Sequence, residues 1–484
     1  MRQTIVIFGA SGDLTSRKLI PAVYSLHHKR RLPPDTRVVG VARTAMSHDA
    51  WRGRLAESAA RSLGAQFARS SWESLAPRIW YLAGSVDRMQ DVQSLGEFLQ
   101  EIDGGDAAAR IYYLAIAPQL YEPALTNLAA GGLVCEDRGP RRIVVEKPFG
   151  TDLATARQLN RKLHEACAEH QVYRIDHYLG KETVQNVLVL RFANAIFEPI
   201  WNRNYVDHVE ITAAESLTVG HRAGYYDSAG VLRDMLQGHL LQLLTLAAME
   251  TPVRFEADAV RDEKVKVLRA VRPMRPEDVL ADTLRGQYRG YRHEPGVRPD
   301  STTATFAAIK LHIDNWRWQG VPFYLRSGKA MSCPTTQLVI QFRQPPFLLF
   351  GGPREDPGDS NRLVIQIQPA EGIQLHFHTK VPDAGMQLRL TDLDFRFRDK
   401  FSGPMPEAYE RLLLDVLQGD ASLFARSDEV EAAWKIVDPI QAVWDQGPQP
   451  PLLPYEPGMW GPVESTDWMA RQGRRWFDCC PVLH

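Results

Sequence analysis

Cysteine is scarce in this chain: 484 residues carry five, at Cys135, Cys167, Cys333, Cys479 and Cys480. The count is odd and no CxxC spacing occurs, so a thiolate metal site is not indicated and a reducing, cytoplasmic setting is expected. Surplus charge of one sign is also missing. Lys and Arg number 57 against 58 Asp and Glu, a net charge of −1. No overall field draws nucleic acid or an anionic membrane to such a chain. Long apolar runs are absent, the longest being Leu240 to Met249, well short of the ~20 residues that span a bilayer. Thr4–Phe8 reads as a strand so close to Met1 that no signal peptide is expected. There are no internal repeats and no low-complexity tract.

What is present is an ordinary globular composition, 44% hydrophobic and 24% charged. The length suits about two to four domains and a large core without disulfides or metals. Over the first 180 residues, β-branched runs alternate with helical ones. Thr4–Phe8, Arg37–Val41, Ile111–Ile116 and Ile143–Val145 read as strands, and Pro21–Arg30 as a helix. That rhythm predicts a Rossmann-like, doubly wound parallel sheet over residues 1–176. Val184–Phe197 reads as a helix. Beyond it, Val206–Thr212, Ala307–Ile313, Gln337–Gln341, Leu363–Gln368 and Ile373–Thr379 alternate partially, without regular intervening helices. Residues 177–484 are therefore expected to form a larger α+β domain with a mostly antiparallel sheet. Its helices are placed at Val231–Met249, Glu407–Leu417 and Asp428–Ile436, and the Pro-rich 447–462 as an extended surface segment.

Chemistry concentrates in a few places. Gly9-Ala10-Ser11-Gly12-Asp13-Leu14 joins the first strand to a helix. Gly9 permits a tight turn and Gly12 close approach of a pyrophosphate, while the helix offers free N–H groups. Ser11 stands where the usual fingerprint has its second glycine. After the second strand comes Arg43 rather than the carboxylate that binds a free ribose 2′-hydroxyl. Its guanidinium suits a 2′-phosphate, which favours NADP with NAD as a weaker alternative; otherwise it is a solvated strand-end charge. Lys147, in Glu146-Lys147-Pro148, sits at the end of a strand, where such sheets face their ligands. Asp176-His177-Tyr178-Leu179-Gly180-Lys181 packs an acid, an imidazole, a phenol and an amine into six residues. His177, Tyr178 and Lys181 can converge on an anion, and Asp176 can orient a histidine base; the plainer alternative is a helix-capping turn. In Arg233–Gln242 a helix would put Asp234, Gly238 and Gln242 on one face and His239 among apolar neighbours. A lone His in such surroundings is usually a satisfied core histidine, and by itself this segment does not make an active site.

Together these segments resemble the glucose-6-phosphate dehydrogenases. GASGDLTSRKL, EKPFG, RIDHYLGKE, GYYDSAGVLRDMLQGHLLQ, TFAAIKLHIDNWRWQGVPFYLRSGK and AYERLLLDVLQGDASLFARSDEVEAAW follow one another as that family's signature segments do. The resemblance implies NADP-dependent oxidation of glucose 6-phosphate to 6-phosphoglucono-1,5-lactone in the oxidative pentose phosphate route. It implies His239 as general base with Asp176 as its paired carboxylate. His177, Tyr178 and Lys181 correspond to substrate-phosphate ligands; Lys147, Glu215, Asp234 and Lys329 to ligands of the sugar hydroxyls. Gly9, Ser11, Gly12, Asp13, Leu14, Arg43 and Lys147 correspond to the coenzyme site. A homodimer or dimer of dimers is implied, with a small sugar phosphate as partner and no metal, nucleic acid or membrane.

Two departures stand out. Pro334 occupies a position where the family usually has a second phosphate-binding cation, and Gly238 one where it typically has Asn. One charge-assisted hydrogen bond contributes roughly 1.5–3 kcal/mol, about one to two decades in affinity. Weakened phosphate binding is therefore expected, and a related aldose dehydrogenase acting on free glucose or another sugar is the alternative. A catalytically silent NADP-binding relative would have lost His239 or Asp176, and both are present.

Overall fold

The β-branched runs near the N-terminus become strands buried on both faces. In the computed structural model, which describes residues 2–104, 107–347, 349–350, 360–401, 403 and 405–480, the chain divides into two compact units. The first comprises Met1–Lys181, Val253–Arg261 and Pro406–Glu431; the second comprises Glu182–Pro252, Asp262–Met405 and Ala432–His484. The sequence reading made one cut at 176/177, whereas two later segments return to the first unit.

Six strands order the first unit: β1 (Arg2–Phe8), β2 (Thr36–Ala42), β3 (Ile79–Ala83), β4 (Ala108–Leu114), β5 (Arg141–Glu146) and β6 (Val172–Ile175). All pair in parallel, in the order β3-β2-β1-β4-β5-β6. Val6, Tyr112 and Val144 are fully buried along its middle. Such burial explains why these strands read as continuous apolar runs without alternation. The expected doubly wound parallel sheet is present, with β3 added to the strands read from sequence. Helix α1 covers Ile20–His28 and α2 His48–Leu63. Ser47 caps α2, its hydroxyl accepting from Ala50 N at 3.1 Å.

The second unit is built on nine strands: β7 (Val206–Ala214), β8 (Thr283–Tyr288), β9 (Phe306–His312), β10 (Pro322–Gly328), β11 (Thr335–Phe342), β12 (Arg362–Gln368), β13 (Gly372–Lys380), β14 (Leu388–Arg396) and β15 (Leu452–Tyr455). Their order is β14-β13-β12-β11-β7-β10-β9-β8-β15. The pairings are antiparallel except β7–β10 and β8–β15, so the mostly antiparallel expectation holds. The Pro-rich 447–462 is extended as expected, but it contributes β15 to the sheet edge and buries Tyr455. The helix expected over Val231–Met249 opens as a π-helix, Leu232–Leu240, and becomes α over Leu241–Ala248. The wider turn removes the simple alignment of Asp234 with Gly238 and Gln242 (Asp234 stays partly exposed, the other two are buried).

Five reduced thiols are not what the structure holds. Cys333 and Cys480 form a disulfide, with Cα atoms 5.9 Å apart and 147 residues between them in sequence. Cys135, Cys167 and Cys479 are free. No described helix is long and apolar enough to cross a membrane.

Candidate active site

In the first unit, the glycine turn sits at the carboxyl end of β1. Gly9 has φ +82°, and a Cβ on it would stand 2.0 Å from the carbonyl oxygen of Ala115. Only glycine tolerates both that backbone and that approach. Gly9 N donates to Val41 O at 2.9 Å, Gly12 N to Gly9 O at 2.9 Å, and Thr15 Oγ1 to Gly9 O at 3.1 Å. Gly9, Ser11 and Gly12 line a cleft of about 280 Å³ together with Arg43 and Thr44 after β2 and the turn after β4. Arg43 is exposed, and its guanidinium has neither hydrogen bond nor ion pair among the described residues. An unpaired cation beside a glycine turn that leads into a helix N-terminus fits an anionic dinucleotide. Asp13 faces the neighbouring cavity, bridged to Arg17 at 3.7 Å. Leu14 opens the π-turn Thr15–Leu19 and lies off the cleft wall.

At the end of β5, Lys147 is followed by a cis peptide to Pro148. Glu146 just before it had no role in the sequence reading, though it lies inside the motif. Its carboxyl accepts from Tyr113 Oη, and its carbonyl from Tyr121 Oη at 3.1 Å. Burial pushes the Glu146 pKa up to about 7, and the Asp176 charge adds to the rise against hydrogen bonds from Tyr113 and Tyr409.

After β6 the chain turns tightly. Asp176 is buried, and its side chain accepts from Tyr178 N at 3.0 Å. Leu179 N donates to Asp176 O and Lys181 N to Tyr178 O. The turn gathers three of the expected groups: the rings of His177 and Tyr178 lie 5.2 Å apart, and Lys181 Nζ stands 4.3 Å over the Tyr178 ring. Their spacing in sequence places them this close.

In the second unit, parallel pairing sets another cluster. β7 and β10 run side by side with Ala214 level with Gly328. The next residues, Glu215 and Lys329, thus leave neighbouring strand ends together, and their side chains form an ion pair. Asp234 on the π-helix joins them, 3.3 Å from Lys329 Nζ. Arg222 reaches Asp234 from the solvent side at 3.6 Å, and Lys329 Nζ lies 5.2 Å over the Tyr226 ring. Arg222 and Tyr226 had not been singled out from sequence. The main chain fixes Lys329: its N–H donates to Thr305 O, and its carbonyl accepts from Tyr455 Oη at 2.7 Å. His239 is buried five residues beyond Asp234.

The chain matches the family model of the glucose-6-phosphate dehydrogenase NAD binding domain over residues 6–186. It matches the model of the C-terminal domain of the same enzymes over residues 188–477. A glucose-6-phosphate 1-dehydrogenase of Aggregatibacter actinomycetemcomitans is 46% identical over 98% of this chain and 96% of its own length. That of Mycolicibacterium smegmatis is 44% identical over 97% and 96%. Among solved structures, a glucose-6-phosphate dehydrogenase in complex with its substrate glucose-6-phosphate superposes with a TM-score of 0.90 at 36% identity, covering 99% of both chains. The Mycobacterium avium enzyme gives a TM-score of 0.86 at 37% identity over 99% of both. Two domain models in order, full-length relatives and a common fold lead to one conclusion: the chain belongs to the glucose-6-phosphate dehydrogenase family of oxidoreductases.

Proposed function

We propose that the protein oxidises glucose 6-phosphate at C1 with NADP, producing 6-phosphoglucono-1,5-lactone and NADPH. The observation that carries this reading is the Lys329–Glu215–Asp234 cluster. An ammonium offers three donors and each carboxylate only acceptors. Interleaved in one place, they match vicinal sugar hydroxyls, each of which donates and accepts. Lys147, from the first unit, is assigned to the same hydroxyls and to the coenzyme.

His239 takes the proton of the C1 hydroxyl. A neutral imidazole, with an ordinary pKa near ~6.5, is a competent base at neutral pH. Asp176 is assigned to orient that imidazole and to stabilise its cation. His177, Tyr178 and Lys181 bind the phosphate, with two groups able to carry positive charge and one hydroxyl. Gly9, Ser11, Gly12 and Arg43 hold the coenzyme, with Asp13 and Leu14 shaping the same turn. NADP, when bound, accepts the hydride released from carbon. We place the enzyme in the cytoplasm as a homodimer or dimer of dimers. Support for self-association comes from β14, at one edge of its sheet, where Leu393 is 61% exposed; sedimentation velocity tests it.

The experiment is the ratio of kcat/KM for glucose 6-phosphate to that for glucose, read as NADPH formation. A strong preference for the phosphate ester supports the reading and means that His177, Tyr178 and Lys181 suffice. An equal or reversed preference favours the aldose dehydrogenase alternative, with exposed, uncharged Pro334 as the reason.

A further inference from the structure

We propose that Arg54 is a specificity-determining residue for the coenzyme, recognising the ribose 2′-phosphate from the far side of Ser11. The inference rests on the NADP reading above. It starts from a second cavity, about 500 Å³, that shares Ser11 with the coenzyme cleft. Its walls carry Arg17, Arg54 and Arg61, with the carboxylates of Asp13 and Glu57. Asp13 is bridged to Arg17. Arg54 and Arg61 form no ion pair among the described residues. Among the described residues, the one hydrogen-bond contact of Arg54 is Nη1 to Met46 Sδ at 3.8 Å, and thioether sulfur is a weak acceptor. The guanidinium is thus directed toward the segment that carries Arg43 and Thr44, with no carboxylate to satisfy it.

That direction is built into the fold. α2 is tied to the glycine turn by Trp51 Nε1, which donates to Ala10 O at 3.2 Å. Gly40 on β2 makes room for the same ring, since a Cβ there would stand 2.3 Å from it. Ser58 Oγ donates to Ser16 O at 2.9 Å and ties α2 a second time. Tyr81 Oη donates to Thr44 O at 2.6 Å and fixes the loop after β2. Arg54 is therefore held on α2 and lines a cavity that shares Ser11 with the cleft lined by Arg43. Arg61 is two helical turns further on, about 10 Å along the axis, and Arg17 is bridged to Asp13, so Arg54 is assigned as the second cation. A phosphate dianion accepts bidentate bonds from more than one guanidinium. A free 2′-hydroxyl offers Arg54 no charge to pair.

The test uses the full chain and two ligands that differ only in the phosphate: adenosine 2′,5′-bisphosphate and 5′-AMP, titrated by calorimetry into wild type, Arg54→Ala, Arg54→Lys and Arg43→Ala. Arg54→Ala is expected to weaken the bisphosphate roughly tenfold, the loss of one exposed charge-assisted bond, and to leave 5′-AMP unchanged. Arg54→Lys should recover part of the loss. In turnover, KM for NADP should rise in Arg54→Ala with kcat and KM for NAD unchanged. If Arg54→Ala binds both ligands as wild type does while Arg43→Ala loses the bisphosphate, the NADP reading stands and the role of Arg54 falls. Equal weakening of both ligands in Arg54→Ala also overturns it, as a general effect on α2. If wild type binds both ligands equally, the NADP reading fails and this inference with it.

Discussion

Glu146 offers a test in which the sign and size of a pH effect follow from position alone. Its carboxyl is half-buried at the end of β5, and desolvation, reinforced by Asp176, raises its pKa from 4.5 to about 7. An unfolded chain ionises the same group near 4.5. Between those pH values the folded protein keeps a proton that the unfolded chain has released. The native state binds more protons there, so stability falls as pH rises. The rise corresponds to a destabilisation on the order of 3 kcal/mol, absent below the unfolded value and present in full above about pH 7. Glu146→Gln keeps the shape and an acceptor for Tyr113 but cannot ionise. Its own effect on packing is constant with pH, so the quantity to read is how the difference from wild type changes. Urea unfolding of both proteins at pH 5 and pH 8 gives it. The variant should gain on wild type by roughly 2–3 kcal/mol between the two pH values. An identical difference at both would refute the proton-holding carboxyl.

Three further outcomes are expected. His239→Asn should lower kcat by about 10²–10⁴-fold while leaving the dissociation constant of NADP, measured by fluorescence titration, within a factor of about two. Arg43→Ala should raise KM for NADP by roughly tenfold or more and leave KM for NAD nearly unchanged; steady-state kinetics with both coenzymes checks it. Cys480→Ser opens a loop closed across 147 residues, for which chain entropy sets an upper bound of about 5 kcal/mol. Its thermal midpoint should fall below that of wild type, and a dithiol reductant should lower the wild type to the same value without moving the variant.

Legibility in the sequence followed locality. β1, β2, β4 and β5 announce themselves because both their faces are buried, so their residues are apolar and β-branched without interruption. β15 does not, since Leu452–Tyr455 includes Pro454. Proline is tolerated there because the strand lies at the edge of its sheet. β14 carries Arg389, Asp392 and Asp394 between its leucines and is largely exposed, so no buried face marks it. The return of Val253–Arg261 and Pro406–Glu431 to the first unit leaves no periodic trace, because long-range packing has none. The same division holds at the site. His177, Tyr178 and Lys181 fall within one turn, and their meeting could be read from spacing. Glu215, Asp234 and Lys329 are scattered over more than a hundred residues. Resemblance alone grouped them in the sequence; the parallel register of β7 with β10 brings Glu215 to Lys329, and Asp234 joins them from the π-helix. Glu146 was passed over because a charged residue at a strand end gives no sign that two tyrosines will enclose it. The Cys333–Cys480 bond, likewise, has no spacing signal.

The charges around Lys329 also argue where the two ends of the substrate go. Lys329 and Arg222 are balanced by Glu215 and Asp234, so the cluster has no positive surplus. A phosphate dianion placed there would face two carboxylates, and like charges in a partly buried site are costly. Hydroxyls carry no such penalty and use both donor and acceptor groups. Pro334 adds no cation nearby, so a second-unit phosphate site would have to work against its own charge balance. The turn after β6 is the reverse case. Lys181 sits over Tyr178 beside His177, and Asp176 commits an oxygen to Tyr178 N. These charge balances support the proposed assignment of the phosphate to the turn after β6 and of the sugar hydroxyls to Lys329. Substituting Lys181 should therefore raise KM for glucose 6-phosphate far more than for glucose, whereas substituting Lys329 should impair both sugars alike. If the Lys181 variant loses both sugars equally, this partition by charge is wrong.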